Sequence, residues 1–310
     1  MGMSAERPDL SVIVVTHNGR EVALATLRSA GASVGGISCE WLVVDNGSTD
    51  GTPDAIERAF PEARVTRAPN RGFAAGNNVA LRKARGRYML LLNPDVKIER
   101  GTFADLVAAL DTRPEVGIAS VLQRGTDGEL LASVRRFPTP ARHLGEAVGA
   151  ARLPVLRHLQ ERDTDFEQYT RERSVEWLVG AFLCARTDAI EQVGLLDERF
   201  FLYAEETDWC LRFRERGWDV RHIPVMTVTH LKGDMSRPEA VAQLGHSRRR
   251  YAYKHLGWPG AIAAHAGLVI GRLLRLTAVA PAALVRPALR RRVWAEALAL
   301  AVLLGAAPPY

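Results

Sequence analysis

Over the first hundred residues, short apolar runs alternate with longer segments whose apolar positions recur every three or four. Leu10 to Val15 (LSVIVV), Trp41 to Val44 (WLVV) and Tyr88 to Leu92 (YMLLL) are nearly continuous apolar stretches bounded by turn residues, the pattern of strands buried on both faces. Ala63 to Arg67 predicts a further strand. Helical spacing runs from Glu21 to about Ser33, from about Pro53 to Phe60, and from the loop at Asn70 to Asn78 on to Ala84. Four strands alternating with helices predict a parallel, doubly wound α/β sheet with right-handed crossovers. Further on, Phe103 to Leu110 predicts a helix and Val116 to Leu122 a strand, whereas Arg135 to Asp165 is irregular. Val175 to Arg186 (VEWLVGAFLCAR) predicts one strand, the segment from Glu205 a helix, and Val225 to Thr229 a strand that ends at His230.

Composition narrows this only a little. At 310 residues, 47% hydrophobic and 25% charged, the chain holds one large α/β domain or two small ones. Three cysteines without a C-x-x-C pair suggest neither a disulfide framework nor a zinc site, and fit a cytosolic setting. The N-terminus carries no apolar core of signal-peptide length. The net charge of +6 is uneven: RRR at 248–250 and again at 290–292 points to an anionic partner for the end of the chain, with nucleic acid not among the expected ones. From Trp258 the tail combines apolar helical stretches with Arg272, Arg275 and Arg286. It is expected to be an amphipathic interfacial anchor on an anionic membrane; packing on the core and a homodimer interface are the alternatives.

Candidate chemistry gathers where the strands end. Asn93-Pro94 cannot continue a ladder, so Asp95 is delivered to the carboxyl end of a central strand, the edge at which open α/β sheets bind ligands. A lone acid there is placed to hold a divalent cation against a diphosphate, or else simply caps the turn. Thr16 and Asn18, then Asp45, Ser48 and Asp50, then Gly72, Gly76, Asn77 and Asn78 fall in loops at the same edge. Carboxylates beside helix starts can read a base or ribose, and glycines let backbone amides approach a phosphate. Each loop taken alone is also ordinary turn chemistry. G-x-G-x-x-G is absent after the first strand, where THNGRE stands, which argues against a nucleotide-dependent oxidoreductase.

SVIVVTHNG, WLVVDNGSTDGT, NRGFAAGNN and YMLLLNPDV, in that order and spacing, resemble the family 2 glycosyltransferases of GT-A fold, in particular the bacterial rhamnosyltransferase-like branch, over roughly residues 10–256. The resemblance implies a mostly parallel, Rossmann-like sheet flanked by helices, with a C-terminal helical extension. It also implies metal-dependent, inverting transfer from a nucleoside-diphosphate sugar. Residues 10–100 would form the nucleotide-sugar half, 101–257 the acceptor half and 258–310 the tail. Thr16 and Asn18 match the family's first nucleotide loop, and Asp45 the position that reads the base. Asn93 and Asp95 occupy its Asp-x-Asp metal motif, with Asn replacing the first acid.

Glu205-Glu206-Thr207-Asp208 resembles the family's Glu-Asp-x-Asp motif, whose second acid is the base; that is Glu206 here, with Glu205 and Asp208 as alternatives, and with plain helix N-terminal acids as the reading outside the family. His230 matches a histidine that serves metal and diphosphate, and Lys232 would face the leaving diphosphate. Gly180 gives a sugar room to pass, and Trp177 either stacks on a sugar or is buried core. The implied cofactor is Mg2+ or Mn2+. Rhamnose from thymidine-diphosphate-rhamnose is the candidate donor sugar, a lipid-linked or cell-envelope glycan the acceptor, and the inner face of the plasma membrane the location. A non-catalytic nucleotide-sugar-binding module and a galactofuranosyl- or other hexosyltransferase are the alternatives.

Overall fold

A computed structural model describes residues 7–149, 154–231 and 237–310. In chain order the elements are β1 (Leu10–Thr16), α1 (Arg20–Gly31), β2 (Cys39–Asp45), α2 (Thr52–Ala59), β3 (Ala63–Arg67), α3 (Phe73–Leu81), β4 (Tyr88–Leu92) and β5 (Val96–Arg100). There follow α4 (Phe103–Asp111), β6 (Val116–Arg124), β7 (Val134–Arg135), α5 (Pro140–Ala147), β8 (Arg173–Ser174), β9 (Trp177–Leu178), β10 (Phe182–Arg186) and α6 (Thr187–Val193). The chain ends with α7 (Glu205–Glu215), β11 (Asp219–His230), α8 (Pro238–His255), α9 (Gly257–Val285) and α10 (Arg290–Leu303).

Two compact units divide the chain, and neither is one continuous segment. The first takes residues up to 135, 165–199 and 206–231; the second takes 136–164, 200–205 and 232–310. Residue 257, the expected domain boundary, is therefore the first residue of α9, inside the second unit.

The first unit is built on a sheet of order β3-β2-β1-β4-β10-β6-β11-β5, with β8 pairing β11 and a separate β7–β9 pair. The four strands read from the apolar runs are parallel, and the sheet turns mixed at β10, which runs antiparallel to both β4 and β6. All five residues of β4 are buried, as a strand covered on both faces requires. Leu10, Val12, Leu90 and Leu92 pack in one core with Leu27, Ile56 and Phe103. Thr102 closes a capping box with Asp105 that starts α4.

Three sequence expectations change. Val175 to Arg186 is not one strand: β9 and β10 are separated by a turn at Gly180-Ala181. α3 begins at Phe73, so Gly76, Asn77 and Asn78 are helical and not loop. A Cβ on Gly76 would meet Val15 Cγ1 at 2.7 Å and Asn46 at 2.9 Å, so that glycine serves helix–strand packing. β5, directly after the Asn93-Pro94-Asp95 turn, was not anticipated, because only two of its five residues are buried.

The second unit is helical. α5 packs on α9 where Gly267 and Gly271 allow close approach, a Cβ at those positions falling 3.3 Å from His143 Cβ and 3.0 Å from Ala147 Cβ. Ala242 of α8 packs with Ala299 and Val302 of α10. Residues 136–164, expected to be irregular, contribute α5 and a 3-10 turn at Pro154–Leu159. Arg272 and Arg275 do not interrupt the helix: α9 is one helix of 29 residues that ends at Arg286, long and apolar enough to cross a membrane by length and composition. Arg272 and Arg275 both turn onto Glu296, at 2.9 and 3.3 Å, so their charge is met inside the unit.

Candidate functional site

Strand register explains how the site residues converge. Thr16 sits opposite Asp45 at the carboxyl ends of β1 and β2, and Val14 opposite Leu92, so the turn after β4 emerges at the same edge. Leu92 also pairs with Phe182, and the Asn93 N–H donates to Ala181 O at 2.9 Å, which draws the Gly180-Ala181 turn alongside Asn93. Val96 of β5 pairs with His230 of β11, and the Leu231 N–H donates to Asp95 O at 2.9 Å. His230 Nε2 consequently lies 3.3 Å from Asp95 Oδ1.

The donor-side loops are held by one another. The Asp45 Oδ2 accepts from the Ser48 N–H at 2.9 Å, Ser48 Oγ accepts from the Asn18 N–H at 2.9 Å, and Asn18 Oδ1 accepts from the Thr49 N–H at 2.8 Å. Asn18 adopts φ 49°, which an asparagine tolerates in a turn. Thr16 Oγ1 and Asp45 Oδ1 are buried without a hydrogen-bond partner. A buried polar atom left unpaired costs desolvation, and such atoms at a strand edge are available to a ligand. Gly72 has φ 94° and its carbonyl accepts from Asn46 Nδ2 at 3.1 Å. Asn46 and His17, which no motif assigned a role, tie these loops together, the His17 Nδ1 lying 2.9 Å from Asn46 O.

Asn77 is not among the converging groups. It is 1% exposed, and its amide donates back to Phe73 O of its own helix at 2.9 Å. Its neighbour Asn78 instead links α3 to the chain at Leu196, accepting from its N–H at 3.1 Å and donating to its carbonyl at 2.9 Å. Trp177 is 7% exposed, pairs in register with Arg135 and has that guanidinium 5.7 Å from its ring centroid, an arrangement of core packing. Lys232 lies outside the described residues.

On the side of the expected base, α7 starts with Glu205 and Glu206 in its first turn. A Cβ on Gly180 would touch Glu206 Cβ and Cγ at 3.6 Å, so the glycine lies directly against the glutamate. Burial pushes the Glu206 carboxyl above the ordinary range, against a downward pull from backbone N–H groups including those of Gly180 and Thr207 and from the Arg135 charge. Its Oε2 is buried with no hydrogen-bond partner. Asp208 is fully buried in an ion pair with Arg212 at 2.9 Å, which commits it to holding the helix. Glu205, 3% exposed, is the more enclosed of the two first-turn acids and falls in the second unit. Arg135, missed in the sequence, has no motif to mark it.

Asn93 Oδ1 and Asp95 Oδ1 are likewise buried without a hydrogen-bond partner, the latter with only the His230 nitrogen beside it. Two oxygens with an imidazole nitrogen beside them form a donor set that suits Mg2+ or Mn2+. Among the described residues no three His, Cys, Asp or Glu side chains cluster as a metal site, so this set is incomplete by itself.

Comparison with known proteins bears on the family and the fold. The model of the family described as glycosyl transferase family 2 matches residues 11–179. The N-acetylglucosaminyl-diphospho-decaprenol L-rhamnosyltransferase of Mycobacterium tuberculosis is 31% identical over 237 residues, covering 70% of this chain and 76% of its own. Rhamnosyltransferase WbbL of Escherichia coli is 24% identical, over 51% of this chain and 60% of its own. Among solved structures, mannosyltransferase PcManGT from Pyrobaculum calidifontis, in complex with GDP-Man and Mn2+, matches 97% of this chain and 87% of its own with a TM-score of 0.60 and 19% identity. At that identity the likeness speaks to the fold, which is GT-A.

Proposed function

The chain belongs to glycosyl transferase family 2, in its rhamnosyltransferase-like branch, and on that premise we propose that it moves a sugar from a nucleoside-diphosphate donor to a lipid-linked acceptor with inversion at the anomeric carbon. Rhamnose carried on thymidine diphosphate is the leading donor. The observation that carries the mechanism is the pair of carboxylates brought to one turn: Asp95 follows Asn93, Asn93 is bonded to Ala181, and Gly180 lies against Glu206. Thr16, Asn18, Asp45 and Ser48 bind the nucleotide, with Asp45 Oδ1 free to accept a ring N–H. Asn93, Asp95 and His230 would hold a divalent cation, which when bound would supply positive charge for the departing diphosphate. The Glu206 carboxylate takes the proton of the acceptor hydroxyl as that oxygen bonds to the anomeric carbon and the bond to the diphosphate breaks on the opposite face. A carboxyl with raised pKa is a stronger base than an ordinary glutamate. The second unit carries the tail's exposed apolar and basic residues, and an anionic membrane at the cytoplasmic face is the surface assigned to them.

The test is a donor panel followed by two substitutions. Glu206→Gln lowers transfer by about 10³-fold, within the usual worth of a general base, while donor binding measured by calorimetry stays close to wild type. Asp95→Ala abolishes transfer and removes the effect of Mn2+ on donor affinity. Transfer by Glu206→Gln at near wild-type rate would leave a nucleotide-sugar-binding module whose turnover does not pass through this carboxylate.

A further inference from the structure

The three consecutive arginines of α8 have different fates. Arg248 is bonded to Glu146 at 3.1 Å and to Glu161 at 2.7 Å, a buried network inside the second unit. Arg249 caps the end of α10, donating to Leu303 O at 3.1 Å and to Val302 O at 3.4 Å. Arg250 has neither kind of contact. It forms no ion pair among the described residues, yet it is only partly exposed and its Nε is wholly buried without an acceptor. One helical turn earlier, His246 shares that face, and its Nδ1 is likewise buried and unpartnered. Burial, then the charges of Arg249 and Arg250, hold the imidazole below its ordinary pKa. Lys254, a turn beyond Arg250, lies 5.8 Å from the Phe200 ring centroid and extends the row.

A half-buried guanidinium without a counter-charge is costly to the folded protein, and groups so placed mark where an anion belongs. The same unit contains the segment 200–205 that leads into α7, with Ser247, between His246 and Arg248, donating to Leu202 O at 2.7 Å. We propose that His246 and Arg250 form a phosphate-binding site that takes the diphosphate of a lipid-linked acceptor. This rests on the glycosyltransferase reading, which supplies a substrate of that chemistry. A phosphate could also come from a bilayer headgroup, so the test separates the two sources.

Full-length protein and its Arg250→Gln and His246→Gln variants are titrated with farnesyl diphosphate, with farnesol as the uncharged control, and with vesicles containing anionic phospholipid; thymidine-diphosphate-rhamnose binding and thermal unfolding are recorded on the same samples. The expected result is at least a tenfold loss of farnesyl diphosphate affinity in Arg250→Gln, a smaller loss in His246→Gln, no change with farnesol, and a melting temperature equal to or above wild type because an uncompensated charge has been removed. Wild-type affinity for farnesyl diphosphate in Arg250→Gln overturns the site. Loss of vesicle binding alone also overturns it, in favour of a headgroup. Failure of the wild-type protein to bind any nucleoside-diphosphate sugar would count against the glycosyltransferase reading, a result separate from both.

Discussion

As the proposed base, Glu206 is under two opposed demands. Its carboxyl is held above the ordinary glutamate range chiefly by burial, which suits proton abstraction but means that the charged form is disfavoured in the folded state. The linkage sign follows: between the unfolded and the raised folded pKa the native protein holds more protons than the unfolded chain, so stability falls as pH rises through that window. Glu206→Gln is therefore expected to unfold at a higher temperature than wild type at pH 8, with the difference shrinking towards pH 4, while transfer is lost. The acid limb of the wild-type pH–rate profile is expected above the ordinary glutamate pKa. Equal melting temperatures across that pH range would mean that the side chain is solvated and its basicity unremarkable. Asp208, two residues on, shows the contrast, since its buried charge is met by Arg212 and it has no base to offer.

At the scale of elements, what the sequence revealed was what local chemistry dictates. Asp95 was legible because an apolar run, an Asn-Pro break and an acid are contiguous, and α7 because its acids precede a helical rhythm. The bond from Asn93 to Ala181 and the pairing of β5 with β11 were not, since each joins positions far apart in sequence with no periodic signal. The loop after Asn70 misled for a related reason: Gly76 reads as a phosphate glycine until its neighbours Val15 and Asn46 are known. The turn into α7 was also invisible. Tyr203 and Ala204 adopt φ 68° and 67° in succession, conformations that cost an L-residue roughly 1 kcal/mol each. The turn is held by Ser247 on Leu202 O, with Gln243 Nε2 donating to Ser247 Oγ at 3.2 Å. Ala204→Gly relieves the strain and is expected to raise the melting temperature by about 2 °C while lowering turnover, because the start of α7 is then less rigidly set. A fall in melting temperature would show that the turn is not strained.

At the scale of the whole molecule, the tail is bound into the second unit's interior and also presents exposed apolar side chains. Ala261, Ala264, Ala299 and Val302 are buried, and Glu296 meets Arg272 and Arg275, so deleting the last fifty residues would unfold the unit and could not isolate a membrane role. Point substitutions can. Trp258 and Leu284 are 75% and 82% exposed, Val285 and Trp294 are exposed as well, and Arg286, Arg290, Arg291 and Arg292 face solvent. Aromatic and aliphatic side chains beside arginines are what an interfacial surface on anionic lipid requires. With each basic residue worth on the order of 1 kcal/mol near such a leaflet, replacing the arginines at 290–292 with glutamine is expected to weaken vesicle partitioning roughly 100-fold. Trp258→Ser with Leu284→Ser should weaken it independently of salt, whereas wild-type pelleting should decline as salt rises. Transfer to a lipid-linked acceptor is expected to fall in step with partitioning, since docking raises the acceptor's local concentration without touching the sugar, and donor hydrolysis serves as the control for an intact site. Association that ignores salt and yields only to detergent would instead mean that α9, with its 29 residues, crosses the bilayer and that the arginines merely flank it.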